Sequence, residues 1–390
     1  MSRVRGRRAG YTPSVRAHRP RNRHRPHPYR GESMTDTTTD TAATTAPEQG
    51  AGEGHEAAEI LDAARALVDP ELCAAVESLP AAVRKVARYH LGWEHADGTP
   101  ATGNGGKAIR PALVLAAVRA LGGEPKTAVR AAAAVELTHN FTLLHDDVMD
   151  RDTTRRHRPT AWAVFGDAAA ILTGDAMQAL AQRMLADDLH PGAMEAAARL
   201  ALCVEELCEG QFMDCSLESR APDQVTLDEC LAMAEAKTGA LLGCACAIGA
   251  VYAGAGREAA DALDGFGRQA GLAFQLIDDV IGIWGDPGHT GKPAGADLTA
   301  RKKSLPVVAA LASDTPAAAE LAELYGGPPG EGDPARTASA VERAGGRDWA
   351  QGHAADRMSG ALGQLAKAVP DPEAAGGLLA IAEFVTRRRH

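Results

Sequence analysis

The sequence predicts an all-α protein, a single-domain bundle of long helices around a central cavity. Three observations carry that expectation. From residue 57 onward, apolar and charged residues alternate at helical spacing rather than at every second position. The composition is 45% hydrophobic but only 4% aromatic, rich in alanine and poor in the β-branched alternation that marks strands. Two acidic clusters, at residues 146–150 and 278–279, lie on otherwise apolar helical segments. Long helices whose acidic clusters face each other imply a bundle with a polar site inside it.

The elements follow in chain order. Residues 1–33 hold ten arginines against one acid, Glu32, so on a chain of net charge −10 that +9 tail leaves −19 for the remainder. The tail lacks the apolar core of a signal peptide. Three readings stay open: an over-long start with Met34 as the natural initiator, which is favoured, a nucleic-acid or membrane-surface patch, or a tether to a protein partner. Residues 34–56 are rich in Thr, Ala and Gly without periodicity, and read as disordered. Residues 1–56 are thus an N-terminal extension through which a protein partner could dock, and residues 57–390 are one domain. Helices are expected at 57–68, 71–89, 107–121, 126–150, 168–186, 194–217, 227–253, 258–284, 305–312, 335–344, 347–369 and 372–388, with a Gly/Pro-rich loop at 326–334. The uncharged run 238–256 is long enough for a membrane span, but its five glycines and its tyrosine read as a tightly packed core helix. Seven cysteines, an odd number inside helical patterns, favour reduced, buried thiols and a cytoplasmic protein.

The chemistry starts with Asp146, Asp147 and Asp150, answered by Gln275, Asp278 and Asp279. Residues four apart on a helix share a face, so Asp146 and Asp150 present carboxylates one turn apart. The plain alternative is a solvated face of an acidic protein. Leu143, Leu144, Val148, Leu276, Ile277 and Val280 argue against it, because carboxylates in such surroundings need a compensating charge. Mg2+ suits them: it takes oxygen ligands and is usually held by a few carboxylates plus substrate phosphates.

The motifs resemble those of the trans-isoprenyl diphosphate synthases, the polyprenyl synthetase family that includes farnesyl and geranylgeranyl diphosphate synthases. The likeness runs in order through roughly residues 100–310. Gly106-Lys107-Ala108-Ile109-Arg110-Pro111 is similar to the family's GKxxRP element, and Glu136-Leu137-Thr138-His139 to its ELxH. Asp146 to Asp150 matches the first aspartate-rich motif, followed by the arginine pair Arg155-Arg156. Gly210-Gln211-Phe212-Met213-Asp214 fits GQxxD, Lys237-Thr238-Gly239 fits KTG, and Gln275 to Asp279 opens the second aspartate-rich motif. Gly291-Lys292, Asp297-Leu298 and Lys302 complete the tail of the pattern.

The resemblance implies the isoprenoid synthase fold and a Mg2+-dependent prenyltransferase that condenses isopentenyl diphosphate with an allylic diphosphate. By that likeness, Asp146, Asp150 and Asp278 hold about three Mg2+ ions, and Lys107, Arg110, His139 and Arg156 hold isopentenyl diphosphate. Arg155, Lys237, Lys292 and Lys302 hold the allylic diphosphate, while Thr238 and Gln275 stabilise the carbocation. Phe141 and Thr142, five and four residues before Asp146, resemble the pattern of enzymes that stop at geranylgeranyl diphosphate, with farnesyl diphosphate as runner-up. A homodimer is implied, and no nucleic acid is expected. Alternatives are a class I terpene cyclase, which would not need the isopentenyl set, and a non-catalytic subunit, which would be expected to lose aspartates or Lys237. Three positions depart from the pattern: Gly282 stands where the second motif often has its last aspartate, Ala108 where a further cation is common, and His157 where glycine is usual. Asp286, eight residues after Asp278, reads as a loop cap.

Overall fold

The computed structural model describes residues 49–101, 106–286, 294–327, 330 and 332–386, with side chains from Glu56 onward. The expectations for residues 1–48 and for Lys292 lie outside these residues, whereas residues 49–56, expected to be disordered ahead of a domain from residue 57, form the first turns of the helix Gln49–Glu77. The described chain is helix after helix. It runs α1 (Gln49–Glu77), α2 (Ala81–His90), α3 (Ile109–Ala120), α4 (Val129–Met149), α5 (Ala161–Phe165), α6 (Asp167–Ala186), α7 (Ala193–Ser219), α8 (Leu227–Ala234), α9 (Ala240–Tyr252) and α10 (Arg257–Trp284). Then come α11 (Ala296–Thr299), α12 (Leu305–Leu311), α13 (Pro316–Tyr325), α14 (Pro334–Arg343), α15 (Gly346–Ala368) and α16 (Pro372–Thr386). α10 packs along α9 and α15, α4 along α6, and α3 along α9.

Burial explains the layout. Every residue of α9 is buried, so this apolar segment is an interior helix, and the expectation of a packed core helix holds. α4 buries Ala131 to Thr138 almost completely, then Asn140, Phe141, Leu144, Asp147 and Val148. Small side chains let these helices approach closely, and the buried apolar area is the main favourable term of the fold.

Several boundaries differ from expectation, each for a local reason. α1 runs through Pro70, because Leu61, Ala64, Val68, Leu72 and Val76 bury one continuous stripe across it. That packing outweighs a proline's cost of about 3 kcal/mol inside a helix. The break comes instead at Pro80, just before α2. α3 begins at Ile109 rather than Lys107, because Ala108 adopts φ 53°, which ends helical propagation. Lys107 is thereby released from the helix. The expected helix at 227–253 is interrupted by a π turn, Glu235–Gly239. α13 and a two-stranded hairpin, Thr154–Arg155 with Arg158–Pro159, were not expected.

Candidate active site

α4 brings its acids to its own C-terminal end. Asp146 and Asp147 occupy the last turn and Asp150 is the C-cap, with no basic residue in that turn. Carboxylates at the negative pole of a helix are disfavoured by the macrodipole, so this end calls for cations. Burial pushes Asp146 up to about 6, and the nearby Lys237 only partly opposes it. Asp150 is exposed overall, but partial desolvation of its carboxyl raises it too, against the pull of Lys237.

The first cation comes from the π turn. Lys237 Nζ donates to Asp214 Oδ2 at 2.6 Å and lies 4.0 Å from Asp146 Oδ2. Burial opposes its charge, but Asp146 and Asp214 outweigh that and hold the ammonium above the usual lysine range. A π turn is a common way to present a functional residue from within a helix. Gly210 makes room for it: a Cβ there would meet the Lys237 backbone nitrogen at 2.7 Å. The glycine of GQxxD thus permits the α7 contact, and its aspartate, Asp214, pairs with Lys237. Asp214 had no expected role, although it stands in the GQxxD motif.

The second acidic cluster divides its duties. Asp279 is buried, accepting from Gln275 Nε2 (2.9 Å) and from the Leu305 amide at the start of α12 (2.9 Å). Asp278, half-buried, remains the ligand candidate of the pair. Thr238 Oγ1 donates to Gln275 Oε1 at 2.8 Å, joining the π turn to α10. Lys302 closes the far side: burial opposes its charge, yet Asp279, Asp297, Asp214 and Asp150 keep it raised. The departure at Gly282 has a structural cause, because the Asp297 carboxylate occupies the space a side chain there would need.

A separate cavity of about 560 Å³ is lined by Arg65, Gly106, Lys107, Ala108, Ile109, Arg110, Glu136, His139, Arg156 and His157. Lys107, Arg110, His139 and Arg156, the four residues expected to act together, are all here. His139 is held well below the usual imidazole range by burial and by Arg110 and Arg156, so it is neutral at neutral pH. Buried Glu136 faces Arg110, and Asn140 Nδ2 donates to Glu136 Oε1 at 3.0 Å. Arg65, from α1, donates to the Gly106 carbonyl at 2.7 Å. It was not anticipated, since no proposed contact preceded residue 107. Arg155 lies between the two regions, where its Nε donates to Asp147 Oδ1 at 2.7 Å. It is near enough to Asp146 to lower that carboxyl's pKa.

A third cavity, about 270 Å³, opens beside Asp146 and Lys237. It is walled by Phe141, Thr142, His145 and Met149 of α4 and by Leu207, Cys208, Gln211, Phe212 and Cys215 of α7. Phe141 is buried, and Thr142 Oγ1 donates to the His139 carbonyl of its own helix at 2.8 Å. The α7 wall was not foreseen, because nothing in sequence spacing pairs it with α4. Cys208 and Cys215 are exposed rather than buried, which corrects the expectation of buried thiols; all seven cysteines are unpaired.

Comparison with known proteins places this geometry. The polyprenyl synthetase family matches residues 99–343. The geranylgeranyl diphosphate synthase of Mycobacterium tuberculosis is 49% identical over 339 residues, 84% of this chain and 93% of that protein. The (2E,6E)-farnesyl diphosphate synthase of the same organism is 44% identical over 336 residues, covering 85% and 93%. The crystal structure of a polyprenyl synthetase from Streptomyces coelicolor A3(2) superposes with a TM-score of 0.79 at 44% identity, covering 84% of this chain and 98% of that one. The chain therefore belongs to the polyprenyl synthetase family, as a trans-prenyltransferase on the all-α isoprenoid synthase fold.

Proposed function

We propose that the protein condenses isopentenyl diphosphate with an allylic diphosphate in a Mg2+-dependent reaction and that its main product is geranylgeranyl diphosphate. The observation that carries this reading is the presence of two separate cationic regions, one around Lys107 and Arg110 and one around Lys237 and Lys302, beside an apolar cavity. One diphosphate needs one such region. Two, next to a hydrocarbon-sized cavity, suit a reaction that joins two diphosphate substrates.

Divalent metal fits the residues present. The donors are hard carboxylate oxygens, and burial pushes the Asp146 carboxyl up to about 6 against the pull of Lys237, so a bound cation would ease its ionisation. Among the described residues, no three His, Cys, Asp or Glu side chains stand close enough to hold an ion unaided. That suits Mg2+, which takes one or two carboxylates and completes its shell with water and phosphate. Asp146, Asp150 and Asp278 would hold about three ions, which when bound draw charge from the allylic diphosphate and favour its departure. Arg155, Lys237, Lys292 and Lys302 bind the same diphosphate. Lys107, Arg110, neutral His139 and Arg156 orient isopentenyl diphosphate, with charge-assisted hydrogen bonds from the arginines. The linked Thr238 and Gln275 turn their dipoles to the developing carbocation. Phe141 forms the floor of the tail cavity, with Thr142 the smaller residue above it. The relatives named for twenty- and fifteen-carbon products at 49% and 44% identity support this size range.

A homodimer is the expected assembly, supported by Leu172, Leu202 and Phe212, large apolar side chains exposed on α6 and α7. A cytoplasmic location, and a partner-docking role for residues 1–56 ahead of a domain from residue 57, complete the reading. Substitution separates the two substrate sites. Lys107→Ala should raise KM for isopentenyl diphosphate about tenfold or more, in keeping with a lost charge-assisted contact, while KM for the allylic substrate changes little. An equal rise in both constants would contradict separate sites.

A further inference from the structure

The residue just before the first aspartate, His145, sits in a slot that only glycine leaves open. A Cβ on Gly174 of α6 would collide with the His145 imidazole. In that slot Nε2 lies 3.0 Å from the Ile171 carbonyl oxygen. A carbonyl only accepts, so Nε2 carries the proton and donates. The ring also meets Phe141 edge to face, with centroids 4.9 Å apart and an interplanar angle of 75°. Both rings line the tail cavity beside Asp146.

We propose that His145 is a positioning residue: pinned to α6 by its bond to Ile171, it holds the Phe141 ring across the cavity and so sets how long the product grows. This rests on the chain-elongating reading above. The T-shaped contact puts the imidazole against the Phe141 ring, so it fills space into which that ring could otherwise turn. Sequence position gives no hint of this, because the anchor lies on another helix, 26 residues away. The slot also explains Gly174, which lies mid-helix where glycine costs stability.

The test reads product length by mass spectrometry after incubation with Mg2+, isopentenyl diphosphate and farnesyl diphosphate. His145→Ala and, independently, Gly174→Ala should each raise the share of products longer than the wild-type one several-fold, in the same direction as Phe141→Ala. His145→Gln, which keeps an N–H donor near Ile171, should restore part of the wild-type distribution. Adding His145→Ala to Phe141→Ala should lengthen products no further. Far-UV circular dichroism checks that each variant is folded, and Gly174→Ala displaces the ring while leaving it next to Asp146. Wild-type product lengths in both His145→Ala and Gly174→Ala, or full additivity with Phe141→Ala, would overturn the proposal while leaving chain elongation intact. A wild-type chain that elongates nothing would refute the elongation reading, and the proposal with it.

Discussion

Gly282 and Asp297 show how a gap in a motif is settled by a neighbour. The second aspartate-rich motif ends on glycine, and the sequence offered only Asp286 as a nearby acid. In the fold, the carboxylate beside Gly282 belongs to Asp297, on a different element. Gly282→Asp, which restores the family pattern, should therefore damage the protein. It places a Cβ against Asp297 and two like charges together, at a cost on the order of 1–3 kcal/mol from overpacking alone. Thermal unfolding and turnover should both fall, and a more active or more stable variant would show that Asp297 yields freely. Asp278 and Asp279 make the same point. They are adjacent in one motif, and the structure gives Asp279 the task of accepting from the Leu305 amide at the start of α12.

Among the elements, the hairpin at residues 154–159 is the least legible in sequence. Its strands are two residues each, and its turn is Arg156-His157, both at positive φ (52° and 60°). Two-residue hairpin turns with positive φ at both central positions favour Asn-Gly, because left-handed backbone costs about 1–2 kcal/mol for most other residues. Here the strained turn carries Arg156 to the cavity wall, and His157 takes the place where glycine is usual. His157→Gly should relieve the turn and raise stability by about 0.5 kcal/mol after the glycine's extra unfolded-state entropy is offset. A small rise in the unfolding midpoint checks this, and a fall would mean that the imidazole makes a stabilising contact. The π turn was hidden for a similar reason. The KTG residues were clear in sequence, but a π turn leaves no periodicity signal in an apolar run.

At the scale of the molecule, the all-α bundle, the long central helices and the set of cationic and acidic side chains were legible, because burial at 3.6-residue spacing and eight ordered motifs leave a direct record in sequence. Cavity walls were not. Leu207, Cys208 and Phe212 join Phe141 only through the packing of α7 beside α4, and Arg65 joins Lys107 only through α1. His90, at the end of α2, sets how the whole fold responds to acid. His90 is pushed down to about 3 by burial and by Arg156 and Arg155, and its Nε2 has no hydrogen-bond partner. Its folded pKa lies below the unfolded value of about 6.5, so the folded state binds fewer protons. Its contribution to stability is full above that value and is lost progressively as pH falls from there toward 3. The unfolding midpoint should drop across that window, and His90→Gln should flatten the drop; an unchanged slope would place the acid sensitivity at other groups, such as His139.

The proposed reaction joins two diphosphate substrates at paired cationic regions of one chain. The most direct measurement incubates the protein with Mg2+, isopentenyl diphosphate and, in turn, dimethylallyl, geranyl and farnesyl diphosphate, and identifies the products by mass, with Asp146→Ala as the control. Linear prenyl diphosphates should form and accumulate as geranylgeranyl diphosphate. The control should lose at least about a hundredfold in rate, the scale of removing electrostatic support from a departing group, at unchanged helicity. Hydrocarbon products that form without isopentenyl diphosphate, or no product from any allylic substrate, would contradict the proposed reaction.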